Sequence, residues 1–393
     1  MLFQTFDDKQ HCFMVYREAK FHKDIAPMCS KTWSYASYLR DKEVEYASLY
    51  VADKTLEELC SENQKTLYDS IQSKIKSVIK TCNKTGLDLS KICLYEVIPR
   101  HMLAQWAELK NDICENVFTN YEKPTNYEQL LKISKVIADV KQRHLNLDLS
   151  KIIQLTIQDR NTYKLISESK SIIDYDMTKT VTGRLSTKRG SFPVMTLAKK
   201  YRNILIPNND WLFEIDFNAC ELRVALFLLG HDQPEEDLHD WNLKHVFKRA
   251  KDRDNAKKRI FSWLYNPNSD DDAISKIYDR EKLKTLYFSD NKVITPFGRE
   301  IECDDHHAVN YLIQSTAADL VFEQMHKVWE YLQDRKSFIK FCNHDSLMID
   351  LHTDQEYEFH DIKELFSNTR FGKFKVNCLG GKNWADMKDL YIK

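Results

Sequence analysis

Trp211-Leu-Phe-Glu-Ile-Asp-Phe-Asn-Ala-Cys-Glu-Leu-Arg223 is the stretch on which the fold turns. Five mostly apolar residues lead into Asp216, and a helix-friendly run follows. The pattern predicts a short strand over 211–215, buried on at least one face, that delivers a carboxylate to the sheet edge just before the chain turns into a helix. A lone Asp at a strand end is more often a cap or a turn residue. A second stretch, Phe338-Ile-Lys-Phe-Cys-Asn-His-Asp-Ser-Leu-Met-Ile-Asp-Leu351, changes that balance. Two apolar, β-type runs flank Asn343-His344-Asp345-Ser346, which predicts a hairpin with Asp345 at its tip. Two strand-borne carboxylates meeting at one sheet edge are what a two-metal phosphoryl-transfer site requires, its metals roughly 3.5–4 Å apart and clamping the attacking and leaving oxygens.

The chain has 393 residues, enough for two or three lobes around a sizeable core. With 42% hydrophobic and 30% charged residues it reads as an ordinary soluble protein. No apolar run approaches the roughly 20 residues that span a bilayer, and Met1-Leu-Phe-Gln-Thr-Phe-Asp-Asp lacks the layout of a secretory signal. The ten cysteines form no CxxC pair and no ligand spacing with histidine, which argues against zinc and against a disulfide framework. A reducing cytosol, hence a cytoplasmic location, is the expectation.

A net charge of −1 argues nothing about nucleic acid, but its distribution does. Lys188, Arg189, Lys199, Lys200 and Arg202 form one basic run. Lys244, Lys248, Arg249, Lys251, Arg253, Lys257, Lys258 and Arg259 form another. Such runs usually make a solvated face; two of them bracketing a metal site point to a phosphate channel. Before them, Lys54–Lys80 is amphipathic and helical in period, and Arg100–Phe118 and Tyr127–Arg143 read as helices joined by a Pro124 turn. In residues 1–52, His11–Tyr16 and Val44–Val51 are β-prone but carry no motif. Thr295–Arg299 reads as a turn, His307–Gln333 as one long helix, and Leu379-Gly-Gly-Lys-Asn-Trp384 as a glycine turn before an apolar tail.

Arg253, Lys257, Phe261 and Tyr265 recur every four residues. Each such step rotates only about 40° on an α-helix, so the four share a stripe, cationic at one end and aromatic at the other. A triphosphate against Arg253 and Lys257, with a base near Phe261 and Tyr265, matches that layout. Thr182-Gly-Arg-Leu-Ser186 places Arg184 in a tight turn, and Asn310 and Gln314 share one helical face. Minor-groove acceptors are present on every base pair, so donors aimed there test pair geometry without reading sequence. Taken singly, each of these residues is as well read as a surface turn, a core aromatic or a helix-surface amide.

Their order and spacing, from about Ile173 to the C-terminus, resemble the A-family, polymerase I-like DNA polymerases. Thr182-Gly-Arg-Leu-Ser186 is unbroken, and Asp216 to Arg223 resembles the family's metal-binding motif. Asp237-Leu-His239 resembles its Asp-Ile-His turn. Arg253 to Tyr265 resembles its nucleotide-binding helix, with Asn266 in place of a glycine. Asn310 to Asp319, His344-Asp345 and Gly381-Lys-Asn-Trp384 resemble the remaining motifs. Three departures stand out: Ser346 where a Glu is usual, His306 where an Arg is common, and Ser191–Leu197 in place of a Pro-Asn-Leu-Gln-Asn run.

The resemblance implies an α+β right-hand fold, with an antiparallel palm sheet and mostly helical fingers and thumb. It implies a template-directed DNA polymerase that adds dNTPs to a primer, with Asp216 and Asp345 holding two Mg²⁺ ions. Arg253, Lys257 and His239 would hold the triphosphate, with Lys257 protonating the leaving pyrophosphate. Glu221 would be the steric gate against a ribose 2′-hydroxyl, with Tyr265 packed on it, and Phe261 would disfavour dideoxynucleotides. Arg184, Asn310 and Gln314 would probe the minor groove, and His344 would support the primer terminus. The division expected is a 1–95 α+β segment of unassigned role, a thumb at 96–165, palm at 166–235 and 300–393, and fingers at 236–299. The short N-terminal part implies no full proofreading exonuclease, hence a compact phage-type replicase partnered by a separate exonuclease. A catalytically silent primer–template binding module and a metallonuclease are the alternatives.

Overall fold

The computed structural model describes every residue except 90, 248–251, 267, 354–357 and 391–393. The chain divides into two compact units, Met1–Gln142 and Arg143–Lys393.

In the first unit, Gln4–Thr5, Val15–Arg17 and Lys20–His22 form a small antiparallel sheet. Three helices carry most of the rest: α1 (Glu62–Lys84), α2 (Arg100–Asn120) and α3 (Tyr127–Gln142). The helix expected from Lys54 starts only at Glu62. Ser61 and Gln64 make a capping box there, Gln64 accepting from the Ser61 amide at 3.0 Å, which ends any continuation upstream. Leu56, Leu59 and Cys60 still pack on the core formed by Ile71, Leu109, Ile113 and Val117, so their apolar spacing served packing and not a helix. Val44–Val51 is likewise not one strand: Glu45–Tyr46 pairs in parallel with Lys31–Thr32, and Ala47–Tyr50 is a single helical turn. The cysteine expectation also needs correction, since Cys12 and Cys93 are bridged, their Cα atoms 5.2 Å apart. Partners separated by 81 residues have no spacing signature in the sequence.

The second unit is built on a five-stranded antiparallel sheet. Its strands are β1 (Trp211–Phe217), β2 (Phe338–Asn343), β3 (Ser346–Leu351), β4 (Val376–Gly381) and β5 (Lys388–Asp389), in the order β2-β3-β1-β4-β5. β1 is therefore central and not an edge, and Asp216 lies near its C-terminal end. Phe213, Ile215 and Phe217 are buried on one face, as a period of two requires, while Glu214 and Asp216 share the other, half-open face with the buried Leu212. The Gly380-Gly381 pair, expected to turn the chain, lies inside β4 instead. A Cβ on Gly381 would come within 3.0 Å of the Asp386 carbonyl, a close backbone approach that disfavours a side chain there, and one on Gly380 would come within 2.8 Å of the Leu390 side chain.

Around this sheet stand α4 (Cys220–Leu228), α5 (Leu238–His245), α6 (Arg253–Tyr265) and α7 (Asp305–Tyr331). α7 is buried along most of its length and packs on both α4 and α6. Asp319 within it is fully buried and accepts from Arg299 at 2.9 and 2.7 Å. The Arg299 guanidinium lies against Gly183, where a Cβ would sit 2.5 Å from its Cζ. Three sequence motifs thus meet at one buried ion pair. Arg223 is also fully buried; it donates to the carbonyls of Asn218, Pro234 and Glu236 at 2.7, 2.8 and 3.0 Å. Arg223→Leu should cost about 3 kcal/mol of unfolding free energy in urea titration, because those carbonyls lose their donors in a buried setting.

Candidate active site

β1 and β3 pair so that Asp216 faces Ser346 across the register, and β4 places Asn377 on its other side. Asp345 occupies the two-residue turn between β2 and β3, where His344 adopts φ 59°. The two carboxylates are thereby neighbours and line one cavity of about 490 Å³. Both are held above the ordinary carboxylate range. Burial, then the charge of Asp345, then that of Glu214 push Asp216 up to about 8, against an Asn377 hydrogen bond and the Lys257 charge. Burial is also the main cause for Asp345, reinforced by Glu221 and opposed by its own backbone amide, His344 and Arg184. Oxygen donors crowded into like-charge repulsion fit a hard divalent cation such as Mg²⁺, whose charge removes the penalty.

Folding therefore takes up a proton at Asp216 between its unfolded value of 3.8 and about 8, so the metal-free protein loses stability as pH rises through that window. Asp216→Asn removes this contribution. Urea unfolding should find the variant more stable than wild type near the upper end of the window, with the difference shrinking toward the lower end and on adding Mg²⁺.

Ala219, with φ 54° and ψ 51°, turns the chain from β1 into α4 and sets Glu221 in its first turn. Glu221 is gripped from two sides, by the Arg184 guanidinium and by the Tyr265 hydroxyl. Burial and then Glu221 hold the Tyr265 phenol well above its usual range, so it remains a donor. Arg184 therefore belongs, in this state, to an ion pair with Glu221.

Asp252 caps α6 through the Asn255 amide at 2.7 Å, and Arg253, Lys257 and Phe261 project into the cavity wall. Arg253 donates to Asp237 at 2.9 Å. Asp237 also caps α5 and accepts from Asn218 at 2.7 Å. Burial would raise its carboxyl, but bonds from Arg253 and Asn218 bring it well below the usual range. His239, buried in the same wall, is shifted down by burial and by Arg253, and its Nδ1 has no partner among the described residues. Lys257 is exposed, with its charge felt at Asp216.

Nearly all the residues singled out from sequence meet here. Tyr265 joins through Glu221 without lining the cavity. Asn310 and Gln314 lie on α7 toward its N-terminus, whereas Ala317, Ala318, Val321 and Phe322 of that helix form the cavity wall. Among the described residues of the two basic runs, only Arg253 and Lys257 line it. Lys188 pairs with Asp174 at 3.3 Å, Lys244 with Glu236 and Arg259 with Asp271, while Lys248, Arg249 and Lys251 lie outside the described residues. Sequence reasoning missed Glu214, Asn218 and Asn377. Glu214 alone had a signal, its spacing of two from Asp216.

No family model and no curated protein matches the sequence. Among solved structures, the chain is similar to the POL domain of Pol1 from M. smegmatis, a complex with DNA primer-template and dNTP, at a TM-score of 0.66 and 14% identity. The match covers 92% of this chain and 87% of that one, so it extends beyond Arg143–Lys393 into the first unit. The α+β fold is that of a polymerase domain, with the antiparallel sheet as palm. Among the described residues, no helix is long and apolar enough to cross a membrane.

Proposed function

We propose that this chain is an A-family DNA-directed DNA polymerase that extends a primer with dNTPs. The observation that carries the reading is the convergence of Asp216 and Asp345 in one cavity with Arg253, Lys257 and His239 on its wall and Glu221 within it. Asp216 and Asp345 would hold two Mg²⁺, which supply positive charge to the reacting phosphate and acidify the primer 3′-hydroxyl. Arg253 and His239, whose Nδ1 has no partner among the described residues, orient the triphosphate, and Lys257 gives a proton to the departing pyrophosphate. Phe261 and Tyr265 offer apolar faces to the sugar and base. Glu221 fills the space of a 2′-hydroxyl, which selects dNTP. Arg184, Asn310 and Gln314 address the minor groove at the primer terminus, and His344 supports that terminus.

We divide the hand as the resemblance implies, with the thumb at 96–165, the palm at 166–235 and 300–393, and the fingers at 236–299. We assign the protein to phage replication in the host cytoplasm. A labelled primer–template incubated with Mg²⁺ and each dNTP tests the reading: templated extension is expected, and a mispaired 3′ end should not be excised. Binding without extension identifies a silent module, and primer shortening without dNTP identifies a nuclease.

A further inference from the structure

Ser346 stands opposite Asp216 in the β1–β3 register, where the resemblance led one to expect an additional acid. Its hydroxyl is buried and reaches Glu214 Oε1 at 3.0 Å, with the Asn343 carbonyl as its other acceptor at 3.1 Å. Glu214 precedes Asp216 by two residues, so both side chains leave β1 on the same face. Its charge is felt at Asp216, and on its other side at Arg202, whose guanidinium stacks on Trp384 at 3.9 Å. Glu214 does not line the cavity, so it stands behind the pair and not beside the substrate.

We propose that Glu214 is a positioning residue that supplies a third negative charge behind Asp216 and Asp345, held there by the Ser346 hydroxyl, and so strengthens divalent-cation binding at that pair. The inference rests on the polymerase reading above. The acid missing after Asp345 is replaced from the neighbouring strand, at a position on the same sheet face as Asp216 and within reach of Ser346. Arg202 offsets part of this charge, and the half-buried Glu214 carboxylate still adds repulsion at Asp216 that a bound cation would relieve. Outer-shell partners of metal ligands typically contribute about 10–100-fold to affinity.

The test is a Mn²⁺ titration followed by electron paramagnetic resonance on the full chain, with a chain-terminated primer–template and the matched dNTP. Glu214→Gln keeps the size and the bond to Ser346 but removes the charge. It should weaken Mn²⁺ binding by about tenfold or more and raise the Mg²⁺ needed for half-maximal primer extension. Adding Ser346→Glu to Glu214→Gln should restore the affinity, which a loss of structure would not allow. Ser346→Ala, which frees the Glu214 carboxylate, should weaken binding several-fold and carries the test if the first variant fails to fold. If Asp345→Asn abolishes Mn²⁺ binding while both Glu214→Gln and Ser346→Ala bind like wild type, this inference is wrong and the polymerase reading stands. If wild type and Asp345→Asn are alike in binding none, both fall together.

Discussion

Asp345→Asn is expected to slow primer extension by about 10³-fold or more while leaving primer–template affinity within a few-fold. On the polymerase reading the two carboxylates would hold metal charge that stabilises the transition state by several kcal/mol, and each 1.36 kcal/mol is about a factor of ten in rate. Asn preserves the size of the hairpin tip and removes only the charge. Its effect on folding should run the other way, because Asp345 is buried and held high by burial and by Glu221. A variant that is more stable without metal yet nearly inactive is the signature of a site that carries repulsion for the sake of its ligand. Single-turnover extension at saturating DNA and dNTP measures the first part, and urea unfolding the second. Extension within tenfold of wild type would remove Asp345 from the reaction.

Glu221→Ala should raise the ratio of ribonucleotide to deoxyribonucleotide insertion by about 10²-fold. Excluding a hydroxyl by overpacking typically costs about 1–3 kcal/mol, which corresponds to roughly 5–160-fold. The structure adds a reason for the gate to be stiff: Glu221 is fixed by both Arg184 and Tyr265, so it does not swing aside at low cost. Truncation frees Arg184 as well, and extension from mispaired primers should then change together with sugar selectivity. Glu221→Gln is the control, since it keeps the bulk and loses the charge; it should retain most of the discrimination. Competitive insertion of matched rNTP and dNTP reads both variants, and unchanged selectivity in Glu221→Ala would refute the gate.

What the sequence determined by itself was local and periodic. The mostly apolar run 211–215, the apolar runs around His344-Asp345 and the four-residue stripe from Arg253 to Tyr265 each point to an element because short apolar runs between turn signals suit strands and a spacing of four suits a helix. The order of motifs was enough to anticipate an α+β polymerase fold, and the similarity to a solved POL domain agrees with it. Tertiary structure decided what depends on distant partners. The β1–β3 register brings Asp345 beside Asp216, and the same register puts Ser346 within reach of Glu214. Arg184 turned out to face Glu221, Gly380-Gly381 to run as a strand beside Leu390, and Cys12 to bridge to Cys93. None of these has a local signature, because a hydrogen-bond register, a close backbone approach and a cross-link are set by the residue opposite in space, which linear spacing does not encode.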